Sequence, residues 1–155
     1  MPRSEGAWPA RSLFGDPIPP DLARRLRAGF ASELGRARLH GGLLARILTS
    51  LARADAIVFG RRVFLSRPSA ILVASDAIEG ARLLAHELTH VRQYRRYGAA
   101  AFLGSYVGEY LGRRLAGASH AQAYSELSFE REAEESRLAL EQVPGVIEDR
   151  PADSI

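Results

Sequence analysis

The stretch LLAHELTHVRQY, which begins at position 83, most constrains how this 155-residue chain can fold. Leu84, Leu88 and Val91 recur at i, i+4 and i+7, the spacing of one face of an α-helix, so they predict a helix anchored in a core. His86 and His90 are four residues apart and project side by side, because that spacing offsets them by only about 40° of rotation. The stretch therefore predicts a helix with one apolar face and a second face that carries chemically active side chains.

The two histidines have the spacing of a zinc site. Imidazole nitrogens on one helix face can both bind one zinc ion, at about 2.0–2.1 Å each. Glu87 is turned by about 100° from His86 and cannot easily reach the same ion, but it can reach a water beside it. There it would accept the proton of the attacking water and pass it to the leaving amine. The alternative is that His86 and His90 are ordinary polar residues of a half-buried helix.

A catalytic zinc needs a third protein ligand, and the stretch SFEREAEESRL, from position 128, offers one. Glu130 and Glu134 are four residues apart and share a helix face. One of the two carboxylates can bind the metal while the other accepts the second N–H of a ligand histidine. Glu132 is predicted to point elsewhere, towards solvent or an arginine. The alternative is a solvated acidic face paired with Arg131 and Arg137.

The composition excludes several other chemistries. There is no cysteine, so disulfides, thiolate metal sites and thiol catalysis are ruled out. Every basic residue is arginine and the net charge is +3, but acidic residues are interleaved with the arginines, and a nucleic-acid surface is not favoured. No apolar stretch approaches the roughly 20 residues of a membrane span, and no signal peptide is recognised. We expect a soluble protein that is cytoplasmic or exported by a non-classical route.

The periodicity along the chain predicts an α+β fold that is mainly helical, with a short β element before the histidine helix. A capping-box pattern formed by Asp76 and Glu79 predicts the start of that helix, and Gly98 its end. The other predicted elements are a helix from Asp21 to about Arg38, an amphipathic helix around Leu43–Leu51, two strands or a hairpin in AIVFGRRVFLS, a third strand over 70–75 and a helix over 99–115. Ser119 and Gln122 form a second capping-box pattern, which predicts the start of a helical region that reaches about Glu141.

With both motifs in hand, the chain resembles the gluzincin class of zinc metallopeptidases. HELTH matches that class, and FEREAE resembles its Glu-x-x-Ala-Asp phrase, with Glu130 as the ligand and Glu134 in place of the usual aspartate. More narrowly, residues from about Ala54 to Gln93, which include FGRRVFLS and LLAHELTHVRQ, are similar to a small metallopeptidase-like domain. That domain occurs in bacterial proteins associated with extracellular contractile injection systems. The resemblance implies a zinc hydrolase scaffold.

We therefore predict a zinc-dependent metallopeptidase whose partner is a peptide or protein substrate. His86, His90 and Glu130 are predicted to hold the ion. Glu87 is predicted to act as general base and then acid, and Glu134 to orient a ligand histidine. The predicted organisation is an irregular Pro-rich arm over 1–20, a single zincin-like domain over 21–143 and a flexible acidic tail over 144–155. An alternative is a catalytically silent, zinc-stabilised interaction module associated with an export or injection assembly. Its motivation is the small size of the chain, which leaves little sequence for a substrate-binding subdomain.

Two auxiliary features of a peptidase have candidates in the sequence. One is a hydrogen-bond donor for the developing oxyanion. The other is a strand edge that pairs with an extended peptide, for which the predicted strand 70–75 is the candidate. The candidates for the hydrogen-bond donor are Tyr94, Tyr106, Tyr110, His120 and Tyr124. The alternative for each is that it is a packing aromatic or a surface residue.

Overall fold

The computed structural model describes residues 14–75 and 77–144. The predicted cap Asp76, most of the predicted arm and nearly all of the predicted tail lie outside these residues. The described elements, in chain order, are α1 (Pro20–Leu34), β1 (Arg38–His40), α2 (Leu43–Ala52), β2 (Ala56–Phe59), β3 (Arg62–Leu65), α3 (Arg67–Ser75), α4 (Ala77–Tyr97), α5 (Ala99–Leu115), α6 (His120–Ser125) and α7 (Ser128–Glu141). The predicted α+β class, mainly helical with a small β element before the histidine helix, is confirmed.

The three strands form one small sheet in the order β1-β3-β2. β2 and β3 are the predicted hairpin, paired antiparallel with Ala56 opposite Leu65 and Phe59 opposite Arg62. Gly60 begins the turn with φ +61°, a conformation that glycine adopts readily and that suits a two-residue hairpin turn. β1, which the sequence analysis did not predict, runs parallel to β3. β2 therefore lies at one edge of the sheet.

Helix α4 runs through the centre of the molecule and packs against α1, α3, α5, α7 and β2. The predicted apolar stripe is buried: Leu84 and Leu88 are fully inaccessible and Val91 nearly so. Around it lie side chains from α1, the sheet, α3 and α7. This packing holds one face of α4 in the core, because buried apolar area is the dominant stabilising contribution in a domain of this size. The opposite face is left to line a cavity.

The predicted strand over 70–75 is wrong, because these residues belong to helix α3. Ser66 accepts a hydrogen bond from the backbone N–H of Ser69 at 3.3 Å, as a helix N-cap does, and Pro68 lies in the first turn. Ala70 and Val73 are buried three residues apart on one helix face. These start signals and tertiary packing override the β-branched composition of the run.

The C-terminal half follows the prediction with one difference. α4 ends at Tyr97 before Gly98, whose φ is +78°, and α5 covers the predicted 99–115. The predicted capping box of Ser119 and Gln122 is present. The helical region that follows is two helices, since it breaks between Ser125 and Ser128 before α7 begins. Within the described ranges, no helix combines the length and apolar composition needed to cross a membrane.

Candidate metal centre

Three of the predicted site residues meet between α4 and α7. His86 Nε2 lies 3.1 Å from Glu130 Oε2, and His90 Nε2 lies 3.4 Å from Glu130 Oε1. The two imidazole rings are 5.0 Å apart between centroids and nearly perpendicular. One ligand atom from each residue falls within 4.8 Å of the other two. Residues 44 positions apart in the sequence thus form one compact donor set.

The donor set fits a zinc ion in chemistry and in spacing. Two imidazole nitrogens and one carboxylate oxygen are the ligands of many catalytic zinc sites. Ligand atoms held about 2.05 Å from a tetrahedral ion are separated from one another by roughly 3.3 Å. The distances of 3.1 and 3.4 Å from Glu130 to the two histidines lie close to that separation. These three residues are therefore the ones that could hold a metal ion.

Glu130 is buried, yet it is held as an anion. Burial alone would raise the pKa of its carboxyl group, but hydrogen bonds with His86 and His90 outweigh it and the pKa lies well below its usual range. The Tyr106 hydroxyl adds to this by donating a hydrogen bond to Glu130 Oε1 at 2.9 Å. A charged carboxylate is the form that binds a metal.

Glu87 lines the same cavity as the ligand histidines but stands outside the set of three. It is 7% exposed, and burial raises the pKa of its carboxyl group. The negative charges of Glu130 and Asp55 raise it further, while His90 and His86 act in the opposite direction. A carboxyl group whose pKa is raised towards neutral pH is suited to accept and return a proton.

His90 is oriented by a chain of a buried amide and a half-buried carboxylate, which was not predicted from the sequence. His90 Nδ1 lies 2.8 Å from Gln93 Oε1, and Gln93 Nε2 donates to Glu132 Oε2 at 2.9 Å and to the Phe129 carbonyl at 3.1 Å. Because an amide oxygen only accepts, Nδ1 of His90 carries a proton, so Nε2, the nitrogen that hydrogen-bonds to Glu130, is the one available to a metal ion. Glu132 therefore faces Gln93, rather than solvent or an arginine as predicted.

Glu134 lies on the predicted side of His86 but does not reach it. Its Oε2 is 3.9 Å from His86 Nδ1, beyond a hydrogen bond. The guanidinium of Arg137 donates to both carboxylate oxygens of Glu134, at 2.9 and 2.6 Å. The structure thus brings Glu134 to the edge of the site with Arg137 as its partner.

The donor set opens into a cavity of about 310 Å³ with mostly apolar walls. β2 contributes one wall through Ala56, Ile57 and Val58, and α5 contributes another through Phe102 and Leu103. An edge strand beside the site is thus present, although it is β2 and not the run 70–75 that was predicted to supply it.

Three of the five candidate oxyanion donors line this cavity: Tyr94, Tyr106 and Tyr124. Burial raises the pKa of Tyr124 and of Tyr106, so both hydroxyls keep their protons at neutral pH. The other two candidates, Tyr110 and His120, are not part of the lining and hydrogen-bond to each other at 2.9 Å.

Comparison with known proteins connects this fold to one family. Neither the curated proteins nor the solved structures contain a significant match. A family model described as the eCIS core domain, a domain of extracellular contractile injection system proteins, matches residues 17–98. The match includes α4 with its two histidines and ends before α7, so Glu130 lies beyond it. Because the matched region is more than half of the chain, this protein belongs to the eCIS core domain family.

Proposed function

We propose that this protein is a zinc-dependent metallopeptidase of the gluzincin type. The observation that carries the proposal is the convergence of His86, His90 and Glu130 at a cavity that Glu87 also lines. In this proposal the first three residues hold the ion, and Glu87 transfers protons. When bound, zinc supplies Lewis acidity at the reacting carbonyl group.

Glu87 carries the proton chemistry of the proposed reaction. It accepts a proton from the water that attacks the peptide carbonyl carbon, as the new C–O bond forms. It then gives that proton to the amide nitrogen, and the C–N bond breaks. Its burial supports this role, because burial raises the pKa of the carboxyl group and so makes it a stronger base towards the attacking water. Such a group typically contributes about 10²- to 10⁴-fold to a rate.

The walls of the cavity supply the remaining requirements of a peptidase. β2 is an edge strand whose residues Ala56–Val58 face the cavity, so an extended peptide can pair with its free edge. Tyr124 is the better candidate to donate to the oxyanion, because the Tyr106 hydroxyl already donates to Glu130. The apolar lining favours uncharged substrate side chains next to the bond that is cut.

A second candidate function is a zinc-stabilised interaction module without hydrolytic activity. Two observations favour it: the membership of the eCIS core domain family, and an apolar helix face on α2 that the fold leaves uncovered. In this alternative the same three residues hold zinc, and the bound ion stabilises the fold by linking α4 to α7. Glu87 then has no role in chemistry, which makes it the residue that separates the two functions.

The decisive experiment measures zinc content and peptide cleavage on the same preparations. We expect about one zinc per chain in the wild type and in Glu87→Gln, and a clear loss in His86→Ala, since removing a ligand affects affinity more than the roughly 10- to 100-fold of an outer-sphere change. His120→Ala is the matched control because it lies outside the cavity. Mass spectrometry of a broad peptide library should detect cleavage by the wild type and its loss in Glu87→Gln.

Two outcomes would decide against the peptidase. Equal, substoichiometric zinc in the wild type and in His86→Ala would remove the metal site. Full zinc occupancy without cleavage of any library peptide would favour the interaction module instead.

A further inference from the structure

Helix α2 turns its apolar face away from the molecule. Only Ala45 and Thr49 are buried, and they face the sheet. Leu48 is half-buried, and the other four large apolar side chains are exposed: Leu43 to 71%, Leu44 to 63%, Ile47 to 47% and Leu51 to 80%. A contiguous exposed apolar face of this kind marks a surface that binds something.

A groove of about 700 Å³ runs beside this face, between α2 and the start of α3. Its lining combines Ile47 and Leu51 with three arginines, Arg46, Arg53 and Arg67. Within residues 14–75 and 77–144, no acidic side chain forms a salt bridge with any of the three. The groove also contains Asp55, so its net charge is positive. We call α2 and this groove together the α2 surface.

We propose that the α2 surface binds an amphipathic helical segment of a partner protein, with an apolar stripe flanked by acidic side chains. Leu43, Ile47 and Leu51 form an i, i+4, i+8 row, the ridge that a second helix packs against. The acidic flanks of the partner would meet the three arginines of the groove. This match of apolar and charged features is the helix-in-groove mode of recognition.

Charge and shape favour this occupant over two others. In a symmetric dimer through α2, the arginines of one copy would face those of the other, which is repulsive. A membrane surface would contact the leucine ridge but would leave the concave groove unfilled. Among the described residues, the α2 surface shares only Ala52 and Ala54 with the cavity of the candidate metal centre, and neither carries a reactive group, so the proposed binding does not depend on the proposed peptidase activity.

The test uses the full chain and two synthetic, fluorescein-labelled helical peptides. Both carry leucines at i, i+3, i+4 and i+7; one has glutamates on the flanks of this stripe and the other has lysines. Fluorescence anisotropy should show binding of the acidic peptide, weakened by added salt, and at least about 10-fold weaker binding of the basic one.

Two variants and a control locate the binding. Ile47→Glu with Leu51→Glu should weaken binding of the acidic peptide at least about 10-fold, because both side chains lie on the ridge. Reversal of the three groove arginines to glutamate should invert the preference towards the basic peptide. Leu111→Glu with Leu115→Glu is the matched control. It introduces the same two negative charges at exposed apolar side chains, but on α5 instead of α2. The control should bind the acidic peptide as the wild type does.

Several results would overturn the proposal. One is absence of binding, or equal binding of the two peptides. Another is a dimer, seen by light scattering, that the Ile47→Glu and Leu51→Glu changes dissociate, which would assign the surface to a second copy. Tighter α2-dependent binding to phosphatidylserine-containing vesicles than to the acidic peptide would assign it to a membrane.

Discussion

Helices α2 and α4 are both amphipathic, but they use their apolar faces in opposite ways. In α4 the stripe of Leu84, Leu88 and Val91 is buried, and the other face presents His86 and His90 to a cavity. In α2 four of the five leucine and isoleucine side chains face solvent, while a small and a polar residue pack inwards. The comparison teaches that an amphipathic pattern predicts that a face will be covered, but not whether the covering surface belongs to the same chain.

The different positions of the two helices explain the contrast. α4 lies in the middle of the molecule, with helices and the β2 strand on all of its sides. α2 lies outside the sheet and contacts only strands β2 and β3 to any extent. The small side chains of Ala45 and the internally hydrogen-bonded Thr49 allow close contact there. Leu43, Leu44, Ile47 and Leu51 lie on the exposed side of the helix.

The largest effect is expected on the free energy of unfolding, when one leucine of α4 and one of α2 are each replaced by alanine. Leu84→Ala removes a fully buried side chain and should lower the free energy of unfolding by about 2–5 kcal/mol, through lost apolar burial and the cavity left behind. Leu51→Ala removes an exposed one and should change it by no more than about 0.5 kcal/mol. Urea denaturation of both variants measures the difference. Equal losses of unfolding free energy in the two variants would mean that the chain itself covers the apolar face of α2, and α2 and α4 would then not differ in this respect.

Much of the fold follows from local patterns in the sequence. The β2–β3 hairpin, the end of α4 at Gly98, the span of α5 and the capping box at Ser119 were all predicted correctly. These features depend on residues close together in the chain. The run 70–75 was wrong because its β-branched composition was weighed without the upstream cap Ser66. The β1 strand was missed because three residues carry too little pattern to identify a strand.

The candidate site shows the same limit. The helix spacing of His86 and His90 and their pairing with Glu130 were predicted, and the structure brings all three together. The chain from His90 through Gln93 to Glu132 was not predicted, because it joins residues 39 positions apart through a side-chain amide. The one available signal was local: Gln93 follows His90 by three residues and therefore shares its helix face.

A smaller effect is expected from the support of His90 on the polar face of α4. Gln93→Leu should lower zinc affinity by about 10- to 100-fold, because His90 loses the hydrogen-bond acceptor that fixes its tautomer. An effect of this size would show that the polar contacts of α4 are held in place as its apolar packing is. Competition with a chromophoric chelator measures the affinity without any assay of catalysis.

A double substitution separates positioning from a general packing defect. Gln93→Glu with Glu132→Gln exchanges the two groups. It keeps the hydrogen bond to His90 and the one between positions 93 and 132 but loses the one to the Phe129 carbonyl, so it should restore part of the affinity. Wild-type affinity in Gln93→Leu would show that the contact has no part in metal binding.

The smallest effect is expected at Glu134, where the polar face of α4 meets the surface. Glu134→Gln should lower zinc affinity by less than about 10-fold, below the outer-sphere range expected at Gln93, because its carboxylate is 3.9 Å from His86 Nδ1 and already bound by Arg137. The same chelator competition measures it, with Glu135→Gln, an exposed neighbour, as the charge-matched control. A loss at Glu134 as large as that at Gln93 would mean that Glu134 leaves Arg137 to bind His86 when the ion is present. His86 would then be as firmly supported as His90, and every polar contact of α4 at the site would be as fixed as its apolar packing.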